Sequence, residues 1–415
     1  MNDSRVIGLA SGLFSDAQAL NQISSDSPAA ATTRERILDV AFEIYNLLLD
    51  PAELLRTHAS HASLISLHFI QRFDIATIVP PDSGISYSAI ASSCGQLEQT
   101  VRRILRHAIG LQVFREERLC PSSASDEVLV YHTPASLLLR HPSYSAWLGA
   151  TCEESWPAAT RTVDALAAFP AASEPTESGW ALAHSTPRQS LYDVIAISPA
   201  RALRFSTGMS AYSTGPGYAP DHFLKARGDL LARLAKGSKF VDVGGGFGHF
   251  VRALNRQHRH IEFVVQDLPR VVSKAERLPG NLNGGNNGHI VFQAHDFFKP
   301  QPVKGAAVYF LRWILHNWSD KYAVRILQNT GQAMDENSRL IIHDYCIDDL
   351  NKLSIRKRHS RNMDIGMMQL LNAQERDEAQ WRELLAKADS RFQWIGVTRP
   401  PGSALAIIEA SRTAI

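Results

Sequence analysis

The stretch Phe240-Val241-Asp242-Val243-Gly244-Gly245-Gly246-Phe247-Gly248-His249-Phe250 decides how this chain folds. A short β-branched run stops at an acidic residue, and glycines then recur at alternate positions before a helix-forming stretch resumes. Glycine tolerates the positive φ of a tight strand-to-helix turn and lets the backbone approach a ligand closely. The first strand of a doubly wound sheet presents a nucleotide-like ligand to a helix N-terminus in this way. Glycine-rich turns are common, so the sequence on either side has to supply the meaning.

Downstream, strand and helix patterns alternate. Strands are expected over residues 240–243, 261–266, 290–293, 306–311, 339–343, 392–397 and 404–409. Helices are expected over 250–256, 271–277, 320–334 and 378–388. Such a set fits a mostly parallel sheet with one antiparallel edge, its last two strands joined through Arg399-Pro400-Pro401-Gly402. The Gly/Asn-rich residues 281–288 read as a surface loop.

Upstream the pattern is helical. Residues 1–32, rich in Ser, Ala, Asp and Asn, read as a loosely ordered arm with a helical turn near 13–23. Ile37, Val40, Ala41, Ile44, Leu47 and Leu48 then recur at three- and four-residue spacing, and a second helix is expected over 59–73. Two helices either side of Cys94-Gly95, followed by strands near 114–116 and 128–132, give a winged helix-turn-helix outline. The expected organisation is an arm over 1–32, a mainly helical winged-helix domain over 33–230, and an α/β domain over 231–415.

Composition narrows the function classes. A 45% apolar and 20% charged chain with a net charge of +2 is an ordinary globular protein without a field that would draw nucleic acid or anionic membrane. Arg102, Arg103, Arg106 and His107 sit where a recognition helix would read DNA, but Glu116 and Glu117 in the wing and the near-neutral charge argue for an embedded or dimer-forming module. Cys94, Cys120, Cys152 and Cys346 are scattered, which argues against a structural zinc or a disulfide framework and suits a reducing compartment. With no signal-peptide pattern and no apolar run long enough to span a bilayer, a cytoplasmic location is expected. No metal site is expected.

The turn reads G-x-G-x-G, with His249 where a dinucleotide site would place its third glycine. This leaves room for a cofactor with an amino-acid tail. Asp267 ends the second strand, where a carboxylate can take ribose hydroxyls. Asp296 ends the third, with Phe297 beside it for an adenine ring. Each aspartate alone could be a helix N-cap; together they favour an adenosyl cofactor.

These segments, with Leu311-Arg312-Trp313-Ile314-Leu315-His316-Asn317-Trp318-Ser319-Asp320, resemble the S-adenosylmethionine-dependent O-methyltransferases of the plant caffeic-acid type, in the branch that serves fungal secondary metabolism. The resemblance runs from about residue 35 to the C-terminus and implies a seven-stranded doubly wound Rossmann-like domain preceded by a helical winged-helix domain that builds a homodimer. It implies that Gly244, Gly245, Gly246, Asp267, Asp296, Phe297 and Arg312 surround the cofactor. It also implies that His316 is the general base, bracketed by Asp344, where plant members carry glutamate, and by Glu375. The shorter Asp344 is expected to pair less closely than Glu375.

The chemistry agrees with that role. A phenol, judged by tyrosine, has a pKa of about 10 and is mostly protonated at neutral pH. A histidine that takes its proton as attack develops makes it a nucleophile. Met209, Trp313, Met363 and Met367 are candidates for an apolar pocket holding an aromatic or polyketide acceptor, although methionines at helical spacing are equally core residues. Asp348-Asp349 reads as a solvated loop and Arg356-Lys357-Arg358 as a surface charge run. Two other functions stay open: a cofactor-assisted pericyclase using His343 and His184 on the same fold, and a DNA-binding winged-helix regulator.

Overall fold

The computed structural model describes residues 3–25, 27–118, 128–186, 188–277, 290–347 and 354–413. The 281–288 loop, Cys120 and Asp348-Asp349 fall outside these residues. Two compact units emerge: Met1–Leu47 with Phe169–Ser178 and Gly215–Ile415, and Leu48–Ala168 with Gly179–Thr214. The division is therefore not a single cut near residue 230.

The larger unit is built on a seven-stranded sheet. Its strands are β1 (Lys239–Val243), β2 (Glu262–Asp267), β3 (Ile290–Ala294), β4 (Val308–Arg312), β5 (Arg339–Asp344), β6 (Phe392–Thr398) and β7 (Ala406–Arg412). Their spatial order is β6-β7-β5-β4-β1-β2-β3. Strands β1 to β5 run parallel, and β7 is antiparallel to both of its neighbours. The antiparallel strand is thus one in from the edge, not at it. The short link through Pro400 and Pro401 folds β7 back between β5 and β6.

Both faces of the sheet are covered, which is why its strands read as continuous apolar runs. On one face Val241, Leu311 and Ile342 pack with Ile326, Leu327, Trp381 and Leu384 from helices Asp320–Gly331 and Glu378–Ala388. On the other, Phe240, Phe263 and Phe310 meet Phe223, Phe250 and Leu254. The order of β1 to β5 reverses direction beside β1, so its C-terminal end with the neighbouring β4 is where an open α/β sheet takes a ligand.

The N-terminal stretch is not a loose arm. Asp3–Asn21 is a helix, and a second runs over Pro28–Leu48. Arg5 pairs with Glu43 and Arg36 with Asp16, so the two helices lie antiparallel. Tertiary pairing overrides the weak helix propensity of a Ser/Asp/Asn-rich segment.

In the smaller unit, helices Tyr87–Cys94 and Glu98–Gly110 flank a left-handed Gly95 (φ 67°), as the helix–turn–helix spacing suggested. Strands Phe114–Arg118 and Val128–His132 pair antiparallel, and Ile85–Ser86 joins the second of them. Arg102 donates to Glu98 at 2.7 Å and lies over the Tyr87 ring, while Arg106 pairs with Glu116 at 3.2 Å. Further along, a π-helical turn at Thr151–Ser155 buries Glu154, which accepts from Trp180, Arg201 and Arg204. His184 stacks on Trp180 at 4.4 Å, with its ring nitrogens against the Trp180 and Glu153 carbonyls, so it is engaged inside its own unit.

Candidate active site

The glycine turn leaves β1 with Gly244, Gly246 and Gly248 all at positive φ (77°, 58° and 70°). The Gly244 and Gly245 amides donate to the Gln266 carbonyl at 2.8 and 3.0 Å, fastening the turn to the end of β2. Gly246 donates to Asp267 Oδ2 at 2.9 Å, and Leu268 N donates to Asp267 Oδ1 at 2.7 Å. Asp267 is therefore both a brace for the turn and a carboxylate whose remaining lone pairs can receive hydroxyls. Burial pushes its pKa up, against the pull of those two amides and Arg270.

A Cβ on Gly245 would come within 2.4 Å of Asp242 Oδ2 and 2.9 Å of Val265 Cγ1, whereas one on Gly246 would meet nothing within 4 Å. The turn is packed hard beneath and open above. This cradle fits the adenosyl-methionine ligand that the sequence pattern suggests, because space is open at Gly246, while Ile314 Cδ1 stands 2.4 Å from where a Gly244 Cβ would be. Asp242 lies buried under the turn, its pKa raised to about 7 by burial against the opposing charge of Arg312.

At the end of β3, Asp296 accepts from Phe298 N at 2.9 Å, and the partly buried Phe297 edge lies 3.8 Å from where a Gly244 Cβ would stand. The end of β4 supplies Arg312, whose guanidinium lies over Phe250 and Trp313 and donates to the Tyr218 carbonyl at 3.0 Å. Its Nε is buried without a partner among the described residues. Burial lowers its pKa to about 10 against Asp242 and Asp344. The structure thus brings Gly244, Phe297 and Arg312 to the carboxyl ends of three strands around one cradle.

Beyond Arg312 the chain turns sharply. Trp313 adopts φ 54°, an outlier for a bulky side chain, and the next residues close into the 3-10 turn Leu315–Asn317 that carries His316. His316 is buried, and its Nδ1 lies 2.8 Å from Glu375 Oε1 and 3.7 Å from Asp344 Oδ1. Glu375 is the hydrogen-bonded partner, and the shorter Asp344 stops short. Asp344 Oδ2 and Glu375 Oε2 have no partner among the described residues. The donor atoms of the three residues all lie within 4.8 Å, a spacing that also suits a cation. The hydrogen bond to Glu375 already uses the Nδ1 that a cation would need.

The electrostatics of this group are strongly coupled. Burial works against the imidazolium, but Asp344 and Glu375 outweigh it and raise His316 to about 9. Burial likewise raises Asp344 to about 6, against the attraction of His316. A folded-state pKa above the unfolded value of about 6.5 means that the native state holds an extra proton between pH 6.5 and 9. Its stabilising contribution is complete below that window and is lost as pH rises through it. The Tm of the wild type should fall more between pH 6.5 and 9 than that of His316→Gln; parallel Tm curves would contradict the pairing.

Met363 and Met367 lie on the helix Ile355–Leu371, Met367 nearly buried, and Asp364 of the same helix accepts from Glu375 N at 2.9 Å. Met209 belongs to the other unit and is 37% exposed. His343 points to the opposite face of β5 from Asp344, among Phe223, Phe250 and Phe310. Burial drives its pKa well below the usual value, so it carries no charge there.

Several residues around the site went unread in the sequence. Tyr218 and Tyr345 hold hydroxyls 2.7 Å apart, Tyr345 following Asp344 directly. Arg376 and Asp364 support Glu375. A two-residue parallel pairing of Cys346–Ile347 with Arg376–Asp377 draws the Asp344 and Glu375 segments together. Ladders this short carry no periodicity to read, and Arg376 beside Glu375 reads in the sequence as a surface pair.

Comparison with known proteins agrees with the geometry. The family described as the O-methyltransferase domain matches residues 172–391. The chlorophenol O-methyltransferase of Trichoderma longibrachiatum is 36% identical over 91% of this chain and 80% of its own length. The O-methyltransferase pgmB of Aspergillus terreus is 34% identical over 94% and 88%. In fold, the chain superposes on OxaC bound to S-adenosylhomocysteine and oxaline with a TM-score of 0.80 at 22% identity, covering 99% of this chain and 100% of that one. LepI bound to S-adenosylmethionine gives 0.76 at 24% with the same coverage. No helix among the described residues is long and apolar enough to cross a membrane. The chain belongs to the O-methyltransferase domain family and is an S-adenosylmethionine-dependent O-methyltransferase.

Proposed function

We propose that this enzyme methylates a phenolic hydroxyl of a small aromatic, polyketide-type secondary metabolite, with His316 as the general base. The observation that carries the proposal is the buried 2.8 Å contact between His316 Nδ1 and Glu375. It fixes the ring and commits Nδ1 as the donor, which leaves Nε2 to accept a phenol proton in the fraction of molecules whose His316 is deprotonated, so methyl transfer should rise with pH towards about 9. Asp344 adds a second negative charge that stabilises the imidazolium formed in the reaction. S-adenosylmethionine, when bound, supplies an electrophilic methyl group on a sulfonium.

The turn residues Gly244, Gly245 and Gly246 with Asp267, Asp296, Phe297 and Arg312 would hold that cofactor. Asp267 is oriented by two amides toward hydroxyls, and Phe297 offers a ring face. Trp313, Met363 and Met367 would line the acceptor side; Met209 is proposed only from its apolar character. The relative named for chlorophenol supports an aromatic acceptor. A homodimer is part of the reading, supported by Ile7, Phe14, Leu38 and Tyr45, large apolar side chains left exposed on the N-terminal helices. So is a cytoplasmic location, supported by the unbridged thiols of Cys94 and Cys152.

The pericyclic alternative has less support. One solved chain described as a pericyclic reaction enzyme shares the fold at a TM-score of 0.73 and 24% identity. The basic residues such a reading would use, His343 and His184, are an uncharged histidine in an aromatic cage and a histidine held by its own unit. Incubating the protein with methyl-labelled S-adenosylmethionine and a panel of chlorinated and polyketide phenols should move label into at least one phenol. Conversion of an acceptor without label or change of mass would refute the reading.

A further inference from the structure

We infer that Arg376 is a positioning residue for the base: one buried guanidinium clamps the His316 turn from both sides and ties it to the segment carrying Glu375. The inference rests on the general-base reading of His316.

A single 3-10 turn has poor hydrogen-bond geometry and few internal bonds, so it does not by itself hold a side chain in one orientation. Something outside the turn must do so. Arg376 is fully buried, and its guanidinium has five N–H donors in a rigid fork. Nη1 donates to the Leu315 carbonyl at 3.1 Å, immediately before His316, and to the Gln374 carbonyl at 3.4 Å, immediately before Glu375. Nη2 donates to the Trp318 carbonyl at 2.9 Å, just after the turn. Nε and Nη2 both donate to Asp320 Oδ1, at 3.1 and 2.8 Å.

Five contacts for five donors leave none unmet. The ring of Trp381 lies beneath the guanidinium at 5.2 Å. Asp320 also accepts from Gln374 Nε2 at 2.9 Å, which fixes the clamp to the start of the helix Asp320–Gly331. Base and orienting carboxylate come from segments 59 residues apart in sequence, and this one cation sets their spacing. Lysine cannot reproduce it, because a point charge with three donors lacks the planar fork that reaches three carbonyls and a carboxylate together.

The test is a double-mutant cycle on the full chain, using a phenol the enzyme methylates. Arg376→Gln should lower kcat about 10- to 100-fold, the loss expected when catalytic groups shift by about 1 Å. Binding of S-adenosylmethionine by calorimetry and KM for the phenol should change less than about threefold. In a His316→Ala background the same substitution should cost less than about twofold, because a residue acting through another has nothing left to act on. Equal fold losses in both backgrounds would overturn the inference and make Arg376 a general stabiliser of the fold. Unchanged kcat in Arg376→Gln would overturn it too. Should Arg376→Gln fail to fold, Arg376→Lys, which keeps the buried charge opposite Asp320, is read by the same cycle. Wild-type activity in His316→Ala alone would instead remove the general-base reading, which separates the two failures.

Discussion

His316→Ala is expected to lower kcat by roughly 10²–10⁴-fold, the usual contribution of a positioned general base, while S-adenosylmethionine binding stays within a few-fold. The asymmetry follows from where the residue sits. The His316 ring is held by Glu375 and faces Asp344, and neither carboxylate is among the residues expected to hold the cofactor. Removing the ring leaves two buried carboxylates facing each other without the cation between them. One of them will then hold a proton, as like charges that close do not both ionise in a buried site. The variant should therefore keep its fold and cofactor and lose chemistry. Calorimetric titration with the cofactor alongside single-turnover methyl transfer checks both halves; loss of cofactor binding in parallel with activity would show the residue to be structural.

The second large effect lies at the opening stretch. Gly245→Val should weaken S-adenosylmethionine binding roughly 10- to 100-fold, the counterpart of about 1–3 kcal/mol for overfilling a packed site. The Cβ would stand 2.4 Å from Asp242 Oδ2 and 2.9 Å from Val265 Cγ1. Neither neighbour yields easily: Asp242 and Val265 are both buried in the middle of paired strands, β1 and β2. The turn must therefore move, and with it the Gly246 amide that holds Asp267. Gly228→Ala, in the helix Pro220–Ala232 where a Cβ meets nothing, serves as the contrast and should leave affinity unchanged with Tm equal or higher. Equal affinity in Gly245→Val and wild type would mean that the cofactor does not depend on this turn.

The catalytic unit was largely legible in the sequence because parallel strands buried on both faces are continuous apolar runs with abrupt ends. All seven strands fall within a few residues of their expected places. The place of β7 was not legible, since sheet order is set by how a Pro-Pro link folds back and not by local pattern. The N-terminal helix Asp3–Asn21 was hidden because its stability comes from pairing with the next helix through Arg5–Glu43 and Asp16–Arg36. Composition does not register such partners.

At the site, His316, Asp344 and Glu375 follow from the family resemblance, and the unequal reach of the two carboxylates follows from side-chain length. The distances of 2.8 and 3.7 Å agree with it. Arg376 escaped because a cation beside an acidic residue reads as a surface pair. Only the fold shows that it points inward to the Leu315, Trp318 and Gln374 carbonyls. Trp313 is legible as a pocket candidate, but its left-handed backbone is not, because propensity does not suggest that conformation for a tryptophan.

The central claim, that His316 removes the acceptor proton, is tested most directly by varying the acidity of the acceptor. Single-turnover rates for wild type and His316→Ala are measured at one pH across phenols carrying progressively more chlorine. A phenol acidic enough to be ionised already has no need of a base. The account predicts that the defect of His316→Ala shrinks steadily as the phenol becomes more acidic. The same fold loss for every phenol would contradict it.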